Sequence, residues 1–190
     1  MVSLIAAVGR NGVIGLQDSQ GQNTLPWYGL KDDMKHFVQT TTGHQMIMGA
    51  ATLLSFPEPL KKRQHRVLTH NSQELYEAIQ RHKQAAKFLD AINDRQIVFC
   101  HNLEEALDCE LPIITGGASV YGRYIDRGVI DTYYITHVHQ DFENQPEGTK
   151  IIRMPEIPYH TLEPLKGFIP KHVPKTIRNP AYTIMAYERT

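Results

Sequence analysis

The sequence has few cysteines, no excess of either charge and no long apolar run, and each shortage argues against a class of protein. Cys100 and Cys109 are the two cysteines; they lack the CxxC spacing of zinc and redox sites and are too few for a disulfide framework. Lys and Arg number 20, and Asp and Glu also number 20, so no net field draws the chain to nucleic acid or to an anionic membrane. The apolar start MVSLIAAVGRNGVIG is too short for a signal peptide or a membrane span. We therefore expect a cytoplasmic protein without nucleic-acid or membrane partners.

The 190 residues, of which 41% are hydrophobic, suffice for one well-formed core and predict a single domain over residues 1–190. Runs rich in Val, Ile, Leu and Tyr predict strands at 3–8, 45–48, 65–69, 97–100, 112–115, 132–138 and 181–187. Helical patterns lie between several of them, at 31–41, 72–89, 103–107 and 119–127. We interpret the proline-rich stretch 155–180 as loops that stay with the domain.

Strand and helix alternate, and the early strands are apolar throughout, as in a parallel sheet whose two faces are covered by helices. Tyr133, Ile135 and the segment 182–187 look like antiparallel additions at one edge. The sequence thus predicts an α/β fold with a mixed, mostly parallel sheet of about eight strands. In such sheets ligands bind beyond the carboxyl ends of the strands.

The helix predicted over 31–41 carries a carboxylate on its apolar face. Asp33 lies at helical spacing within a stripe expected to face the interior, formed by Leu30, Met34, Phe37, Val38 and Thr41. Asp32 shares its face with Lys35 and His36, and we expect that face to point at water. An ionised carboxylate among apolar side chains is costly, so either its pKa rises or a ligand donates to it. Asp33 is therefore the stronger functional candidate of the two.

Two glycine turns predict sites for a diphosphate. Gly116-Gly117 follows a predicted strand and precedes a helical pattern, so backbone amides and the helix N-terminus can approach an anion. The segment Gly49-Ala50-Ala51-Thr52 follows another strand in the same manner. A GxGxxG motif is missing from both, which argues against a standard dinucleotide-binding fold. We expect two such turns to hold one elongated cofactor.

Taken in order, several segments resemble the signature of dihydrofolate reductases. They are SLIAAVGRNGVIG at 3–15, LPW at 25–27, DMKHF at 33–37, a T-x-G-x-x-M-I-M-G-A-x-T pattern at 41–52, ITGGASVY at 114–121 and YYITHV at 133–138. The resemblance implies reduction of 7,8-dihydrofolate to 5,6,7,8-tetrahydrofolate with NADPH, which supports one-carbon metabolism and thymidylate and nucleotide synthesis. Gly49-Ala50, where cellular enzymes usually carry Gly-Arg, is most similar to the bacteriophage-encoded type, whose location would be the host cytoplasm.

The resemblance also assigns roles to residues that would bind the substrate. Asp33 takes the position of the carboxylate that holds the pterin, Thr136 supports it, and Arg63 matches the arginine that forks onto the glutamate α-carboxylate. Water admitted near Leu25, beside Trp27, would protonate N5. The remaining matched residues offer backbone carbonyls (Ile5, Thr115), line the benzoyl part (Phe37, Phe56, Leu60) or adjoin these positions (Ala6, Met34, Tyr121).

Each assignment has an alternative. A gap placed after the carboxylate would transfer its role to Asp32. The apolar positions Phe37, Phe56 and Leu60 are as often plain core. Arg63 stands in a basic run that usually forms a solvated turn, and Thr136 fits an ordinary strand.

For the cofactor, the resemblance implies NADPH with some tolerance of NADH. Ala50 cannot supply the arginine charge near the adenosine phosphates, and Ser119 replaces a second basic residue. Discrimination for a 2′-phosphate then falls to Thr69, His70 and Asn71, or to a basic residue elsewhere. The full set of expected cofactor contacts is Ala7, Ile14, Gly15, Gly49, Ala50, Ala51, Thr52, Thr69, His70, Asn71, Gly116, Gly117, Ala118, Ser119, Val120 and Tyr121.

Other functions stay open from the sequence. A non-catalytic pterin-binding, dinucleotide-binding or structural protein would keep the same fold. A riboflavin-pathway reductase shares the fold but lacks the pairing of LPW with a helix carboxylate. His137 and His139 alternate onto one strand face, yet two ligands without a third predict no metal site. The segment 9–24, lengthened at 18–22, is expected to be a mobile loop that closes over the site, and the chain to be a monomer or a homodimer.

Overall fold

The computed structural model describes residues 1–27, 29–168 and 181–190. The strands are β1 (Ser3–Val8), β2 (Val13–Gln17), β3 (Asn23–Thr24), β4 (Gln45–Gly49), β5 (Gln64–Leu68), β6 (Ile97–Cys100), β7 (Pro112–Gly116), β8 (Thr132–Val138), β9 (Lys150–Arg153), β10 (Leu162–Pro164) and β11 (Tyr182–Arg189). The α-helices are α1 (Lys31–Thr41), α2 (Ala50–Ser55), α3 (Ser72–Gln80), α4 (Ala85–Asn93), α5 (Leu103–Leu107) and α6 (Ala118–Asp126).

Eight strands form the main sheet, in the order β10-β11-β8-β1-β7-β4-β5-β6. The predicted α/β sheet with an antiparallel C-terminal edge is confirmed for β11 and β10. The prediction is wrong for Tyr133 and Ile135, because β8 runs parallel to β1 from Ser3↔Thr132 to Val8↔His137. Helix α6 separates β7 from β8, and such a crossover returns the chain in the parallel direction. The carboxyl ends of β8, β1, β7, β4, β5 and β6 therefore meet at one edge.

The segment 9–24, expected to be a loop, contains two strands of a small second sheet ordered β3-β2-β9. Val13 is fully buried and packs in a cluster with Trp27, Val138, Phe142 and Tyr182. The inserted residues 18–22 form a turn in which the Asp18 carboxylate accepts from the amides of two residues that follow it. The sequence prediction missed these strands, as well as β9 and β10. Strands β3 and β10 have only two and three residues, and β2 lies in the segment that the family resemblance presented as a loop.

The helix predicted over 72–89 is two helices, α3 and α4. Their buried residues explain the break: Ile79 on α3 and Phe88 on α4 pack in the same cluster. In one continuous helix a separation of nine residues would place them on opposite faces. Bending the chain at 81–84 buries both. Helix α2, which is six residues long, was not predicted as a helix, although its start was recognised as a glycine turn.

Apolar clusters on either side of the main sheet form the core. Leu4, Ile114 and Ile135 contribute to one face, while Ile5 and Ile113 contribute to the other. This alternation along β1 fixes the site, because it directs Ile5 toward the face against which Phe37 of α1 packs.

Candidate active site

Asp33 lies in the first turn of α1, at the wall of a cavity of about 200 Å³. The rest of the lining is mainly apolar or backbone: Leu25, Trp27, Gly29, Leu30, Lys31 and Met34. Burial raises the pKa of the Asp33 carboxyl, while a hydrogen bond from the Thr136 hydroxyl acts in the opposite direction. The structure thus brings Leu25, Trp27, Asp33 and Thr136 together at this cavity.

The apolar stripe of α1 differs from the prediction that it faces the interior. Met34 is 53% exposed and Val38 is 44% exposed, while Thr41 is buried. Met34 lies at the mouth of the Asp33 cavity rather than in the core. Met34 and Val38 face the open cleft while other residues of the stripe face the core, so helical spacing alone could not separate a wall of the site from the core.

The polar face of α1 also corrects the sequence prediction. His36 is only 6% exposed, with its ring edge-on to those of Tyr134 and Phe168. Asp32 does not simply face water, because it accepts a hydrogen bond of 2.8 Å from the Tyr182 hydroxyl, and this bond lowers the pKa of the Asp32 carboxyl. Tyr182 is 150 residues away in sequence, and no local pattern signals the pairing.

The main sheet opens between β1 and β7, next to the Asp33 cavity. The two strands pair only at Ser3↔Ile113 and Leu4↔Ile114. On the other side of β7, the register passes from Ile47↔Ile114 to Met48↔Gly116, so Thr115 is a bulged residue. The Ile5 carbonyl, beyond the paired segment, accepts from the Tyr121 hydroxyl at 2.7 Å. Backbone of Ile5 and Thr115 therefore borders the opening, as expected for a site that binds through carbonyls.

The two glycine turns lie against each other at the ends of β4 and β7. A Cβ built on Gly117 would be 3.3 Å from the Thr52 hydroxyl oxygen, and one on Gly49 would be 3.4 Å from Val120 Cγ2. Gly116 has a φ of 128°, which side chains other than glycine rarely adopt, and the Gly116-Gly117 peptide is cis. This close packing makes one narrow cradle of two turns.

The two glycine turns differ in helix capping from the other turns at the same sheet edge. The N-cap residues of α3 and α5 are Asn71 and Asn102, and both side chains accept from helix amides. The N-cap residues of α2 and α6 are Gly49 and Gly117, which offer no side-chain cap. The first-turn amides of the nine-residue helix α6 thus lack a side-chain acceptor at the cradle, where an anion fits.

Tyr121 connects the cradle to the carboxylate. A Cβ on Gly116 would lie 3.4 Å from the Tyr121 hydroxyl, which donates to Ile5. Burial raises the pKa of the Tyr121 phenol, and the negative charge of Asp33 raises it further. The anion cradle and the buried carboxylate are therefore parts of one site.

Arg63 is fixed at the C-terminus of α1 rather than free in a solvated turn. Its Nε donates to Thr41 Oγ1 at 2.8 Å and its Nη2 donates to Val38 O at 2.7 Å and Thr42 Oγ1 at 3.0 Å, while Nη1 donates to Lys61 O at 2.7 Å. These bonds occupy four of the five guanidinium donors. A bidentate fork onto a ligand therefore requires that Arg63 release one of these bonds.

Phe37, Phe56 and Leu60 are partly buried and pack against the same apolar cluster. They therefore belong partly to the core and partly to the surface that could line a ligand, the two alternatives that the sequence left open. Behind them His65 is fully buried, its Nε2 accepting from the Leu60 amide at 3.2 Å, and burial lowers its pKa to about 4.

The residues expected at the adenosine end divide into two groups. Thr69 and Asn71 bond to each other, and Asn71 also caps α3 through Glu74 N. Their side chains are thus engaged locally. His70, Ala51 and Ser119 are exposed, whereas Ala50 and Ala118 are partly buried.

Other expected cofactor contacts are dispersed around this edge. Ile14 packs with the first core cluster, as does Ala6, which was expected to bind the substrate. Ala7 packs with the cluster around Trp27, and Gly15 lies in β2 opposite Ile152. The structure brings these residues to β1 and to the small sheet, not to the glycine cradle itself.

His137 and His139 do not converge on a common point in the described structure. His137 Nε2 lies 2.9 Å from the Tyr187 hydroxyl, and His139 Nε2 lies 3.1 Å from Thr183 Oγ1. Within residues 1–27, 29–168 and 181–190, no group of three His, Cys, Asp or Glu side chains could hold a metal ion. No helix in those ranges has the length and apolar content needed to cross a membrane.

The structure adds one polar group that the sequence could not reveal. Trp27 Nε1 is buried, and no acceptor lies within reach of it in the described part of the chain. The indole lines the Asp33 cavity and packs against Phe142, with ring centroids 5.5 Å apart. A buried donor at a cavity wall is a contact point for a ligand or for solvent.

Comparison with known proteins agrees with this geometry. The family model for dihydrofolate reductase matches residues 1–157. The chain is 32% identical over 138 residues to dihydrofolate reductase type 3 of Salmonella typhimurium, covering 73% of this chain and 72% of that protein. It is 29% identical over 143 residues to the dihydrofolate reductase of Bacillus subtilis, covering 75% and 72%. A dihydrofolate reductase from Enterococcus faecalis, solved with NADP(H) and RAB-propyl, superposes with a TM-score of 0.69 at 26% identity and covers all of this chain and 96% of that chain. The chain belongs to the dihydrofolate reductase family.

Proposed function

We propose that this protein reduces 7,8-dihydrofolate to 5,6,7,8-tetrahydrofolate with NADPH. The observation that carries the proposal is the carboxylate of Asp33, held in an apolar cavity next to the opening between β1 and β7. A desolvated carboxylate that has no cationic partner among the described residues suits a ligand that donates two hydrogen bonds to it.

The pterin is oriented by three groups of this chain. Asp33 accepts from its 2-amino group and N3, and the Thr136 hydroxyl supports the carboxylate. The carbonyls of Ile5 and Thr115, at the edges of the sheet opening, can accept only from N–H groups of the ring, because the 4-oxo group of dihydrofolate has no proton to donate. Fixing the ring in this manner removes most of the orientational entropy from the reaction.

N5 of the pterin must gain a proton, and Asp33, engaged at the opposite edge of the ring, is too far away to donate directly. Leu25 is 50% exposed and stands where the cavity meets solvent. We assign the proton to a water molecule at this rim, with Trp27 Nε1 available to hold solvent in the cavity. The role of Asp33 is then electrostatic, favouring positive charge on the ring.

The cradle of Gly49, Gly116 and Gly117 suits the diphosphate of a dinucleotide, because glycine leaves the backbone open to close approach and because α2 and α6 lack side-chain caps. NADPH supplies the hydride that the pterin accepts at C6. The first-turn amides of α6 hold the anion, and Tyr121, bonded to Ile5, keeps the opening between β1 and β7 in shape.

The tail of the folate follows the exposed face of α1. Met34, Phe37, Phe56 and Leu60 offer apolar surface for the benzoyl ring. Arg63 binds the glutamate carboxylate with the donor that α1 leaves unused, and a second donor becomes available if the bond to Lys61 O is released.

The direct test is the rate at which 340 nm absorbance falls when the protein is given dihydrofolate with NADPH, and in parallel with NADH. We expect turnover with NADPH that requires both substrates. Binding of both ligands without turnover would instead indicate a non-catalytic binder. Turnover of a riboflavin-pathway substrate, but not of dihydrofolate, would indicate a riboflavin-pathway reductase.

We further propose that the protein is cytoplasmic, originates from a phage and exists as a monomer or homodimer. Cys100 and Cys109 are both free, which suits a reducing compartment. The relatives named above are bacterial, so the phage-type resemblance rests on Gly49-Ala50 alone.

A further inference from the structure

Trp27 is held in the cavity wall by a ring from a distant part of the chain. The Phe142 ring lies against the indole, with ring centroids 5.5 Å apart and ring planes inclined at 57°. Trp27 is 7% exposed and Phe142 is 5% exposed, so both rings are buried. They belong to the small apolar cluster that Val13, Val138 and Tyr182 complete. The orientation of the indole therefore depends on a residue far away in sequence.

The Phe142 ring occupies the space beside Gly9. The backbone of Gly9 has a φ of −71° and a ψ of 171°, an extended conformation that any residue can adopt. A Cβ built on Gly9, however, would lie 2.8 and 2.9 Å from Cδ2 and Cε2 of the Phe142 ring. Carbon atoms in contact are normally about 3.5–4.0 Å apart, so the ring would have to move. Glycine is therefore required at position 9 by the ring beside it rather than by its own backbone.

Hydrogen bonds hold the backbone around Phe142 in place. Its carbonyl accepts from Gln145 Nε2 at 2.9 Å. The next residue, Glu143, accepts two hydrogen bonds from the Arg153 guanidinium, at 2.8 and 2.7 Å. Arg153 Nη1 also donates to the Asn11 carbonyl at 2.7 Å, and Asn11 follows closely after the glycine. These bonds tie the segment that carries Phe142 to the segment that begins at position 9, so the ring stays between the glycine and the indole.

The indole offers a hydrogen-bond donor at the cavity that Asp33 lines. Trp27, Leu25 and Asp33 are all part of the wall of this cavity. Trp27 Nε1 is buried, and among residues 1–27, 29–168 and 181–190 it has no acceptor. A buried donor without a protein partner needs an acceptor from solvent or from a ligand. The direction of this N–H bond, which the packing of Phe142 sets, determines where such an acceptor must lie.

We propose that Phe142 is a positioning residue, whose ring orients the Trp27 indole toward the pterin and the solvent beside it. The inference rests on the proposed function, since it assumes that dihydrofolate occupies the Asp33 cavity. Phe142 does not line that cavity and acts through Trp27. Because the groups of an active site must be held within a fraction of an ångström, a small rotation of the indole lowers the rate even where the fold is kept. Gly9 contributes indirectly, because it admits the ring.

The experiment uses the full chain and its single tryptophan. Trp27 is the only Trp in the sequence, so the fluorescence of the protein without ligands reports the surroundings of the indole directly. The variants are Phe142→Leu, Gly9→Ala and the double variant. Each is measured for emission wavelength, quenching by iodide, kcat and KM for dihydrofolate, and Kd for NADPH. Phe88→Leu is the matched control, because Phe88 is also buried and packs against a ring, that of His82 at 4.6 Å between centroids, but belongs to another apolar cluster.

We expect Phe142→Leu to shift the Trp27 emission to longer wavelength and to lower kcat/KM for dihydrofolate roughly three- to tenfold, the factor that one hydrogen bond contributes. The Kd for NADPH should change less, because the glycine cradle lies outside this apolar cluster. Gly9→Ala should have the same effects, because its Cβ displaces the ring. Leucine is smaller, so adding Gly9→Ala to Phe142→Leu should cost less than adding it to the unmodified chain. Phe88→Leu should lower the free energy of unfolding but change neither the emission nor kcat/KM.

An altered emission in Phe142→Leu with unchanged kcat/KM would overturn the inference and leave Phe142 a core residue. A loss of kcat/KM without a change in emission or quenching would contradict it as well, and so would strictly additive effects of the two substitutions. An equal loss of kcat/KM in Phe88→Leu would assign the effect to stability instead. In each of these cases the proposed function stands. Absence of dihydrofolate turnover in the unmodified chain would overturn the proposed function, and this inference with it.

Discussion

Adjacent aspartates on α1 occupy contrasting environments. Asp33 faces an apolar cavity and its pKa is raised by burial, whereas the pKa of Asp32 is lowered by the hydroxyl of Tyr182. A buried carboxylate without a cation opposes folding at neutral pH, and such groups are retained where function requires them. The same substitution at the two positions therefore compares a buried with a hydrogen-bonded carboxylate on one turn of helix.

Replacing Asp33 by Asn should lower turnover of dihydrofolate by about 10²-fold or more at pH 7, because the amide cannot accept from both pterin donors. The same variant should unfold at an equal or higher temperature, since a costly buried charge is removed. Asp32→Asn is the matched control; its amide oxygen still accepts from Tyr182, and its activity should fall only mildly. A larger loss in Asp32→Asn than in Asp33→Asn would assign the pterin to the other carboxylate.

Arg63→Lys should weaken binding of folate more than binding of a pterin that has no glutamate tail. An ammonium cannot reproduce the planar guanidinium contacts with α1 while also reaching a carboxylate. We also expect the free energy of unfolding to fall by about 1–2 kcal/mol, because Val38 O and Thr41 Oγ1 lose a donor. Lys61→Ala, which removes a neighbouring exposed cation, is the control for both the ligand-binding and the unfolding measurements. Equal loss with the two ligands would restrict Arg63 to a structural role.

At the scale of elements, α1 is held at both ends by residues remote in sequence. Its first turn is bonded to β11 through Asp32 and Tyr182, and its last turn is bonded to Arg63, just before β5. Strand β11 pairs with β8, where Ile184 lies opposite Thr136. The distance between Asp33 and Thr136 therefore depends on a chain of contacts through the C-terminal strand.

Tyr182→Phe tests this attachment. We expect a loss of about 1 kcal/mol in the free energy of unfolding from this bond, a modest value because Asp32 is partly exposed to solvent. A double-mutant cycle with Asp32→Ala, which removes the acceptor that Asp32→Asn keeps, isolates the pair from the other contacts of Tyr182. The KM for dihydrofolate should rise with Tyr182→Phe while the Tyr159→Phe control leaves it unchanged. Strictly additive effects in the cycle would mean that the pair does not position α1.

Elements were predicted with different success for identifiable reasons. The apolar runs of β1 and β6 and the apolar pattern of α1 are regular enough to fix the type and bounds of these elements from local sequence. The sequence predicts one helix over 72–89 because no Gly or Pro interrupts the helical pattern there. Only the need to bury both Ile79 and Phe88 in one cluster breaks it into two. Local sequence likewise does not determine the direction of a strand, as the wrong prediction for β8 illustrates.

At the scale of the whole molecule, two buried neutral histidines link stability to pH. Burial lowers the pKa of both His36 and His65 to about 4. In the unfolded chain these imidazoles titrate near 6.5, so between pH 6.5 and 4 the unfolded state binds more protons. Stability is therefore fully present above pH 6.5 and declines as the pH falls toward 4.

Chemical denaturation at pH 7.5, 6, 5 and 4.5 should reveal a decline whose limit is on the order of 3 kcal/mol for each histidine. His36→Phe, which keeps an aromatic ring beside Tyr134, should flatten the decline. His160→Ala, which removes an exposed imidazole, should leave its slope as it is. An identical pH profile in His36→Phe and the unmodified chain would contradict the assignment of this linkage to His36.

The sequence by itself determined the family, the α/β class, the helix that carries Asp33 and the glycine turns at Gly49 and Gly117. These depend on local chemistry: the period of apolar residues, and glycine where a backbone must approach closely. Tertiary structure decided which partners these residues meet. The hydrogen bond from Tyr182 to Asp32 and the burial of His36 against Tyr134 join residues whose contact depends on strand order and on packing of α1. Those contacts are chosen by the total burial of apolar surface over the whole chain, which no local segment contains.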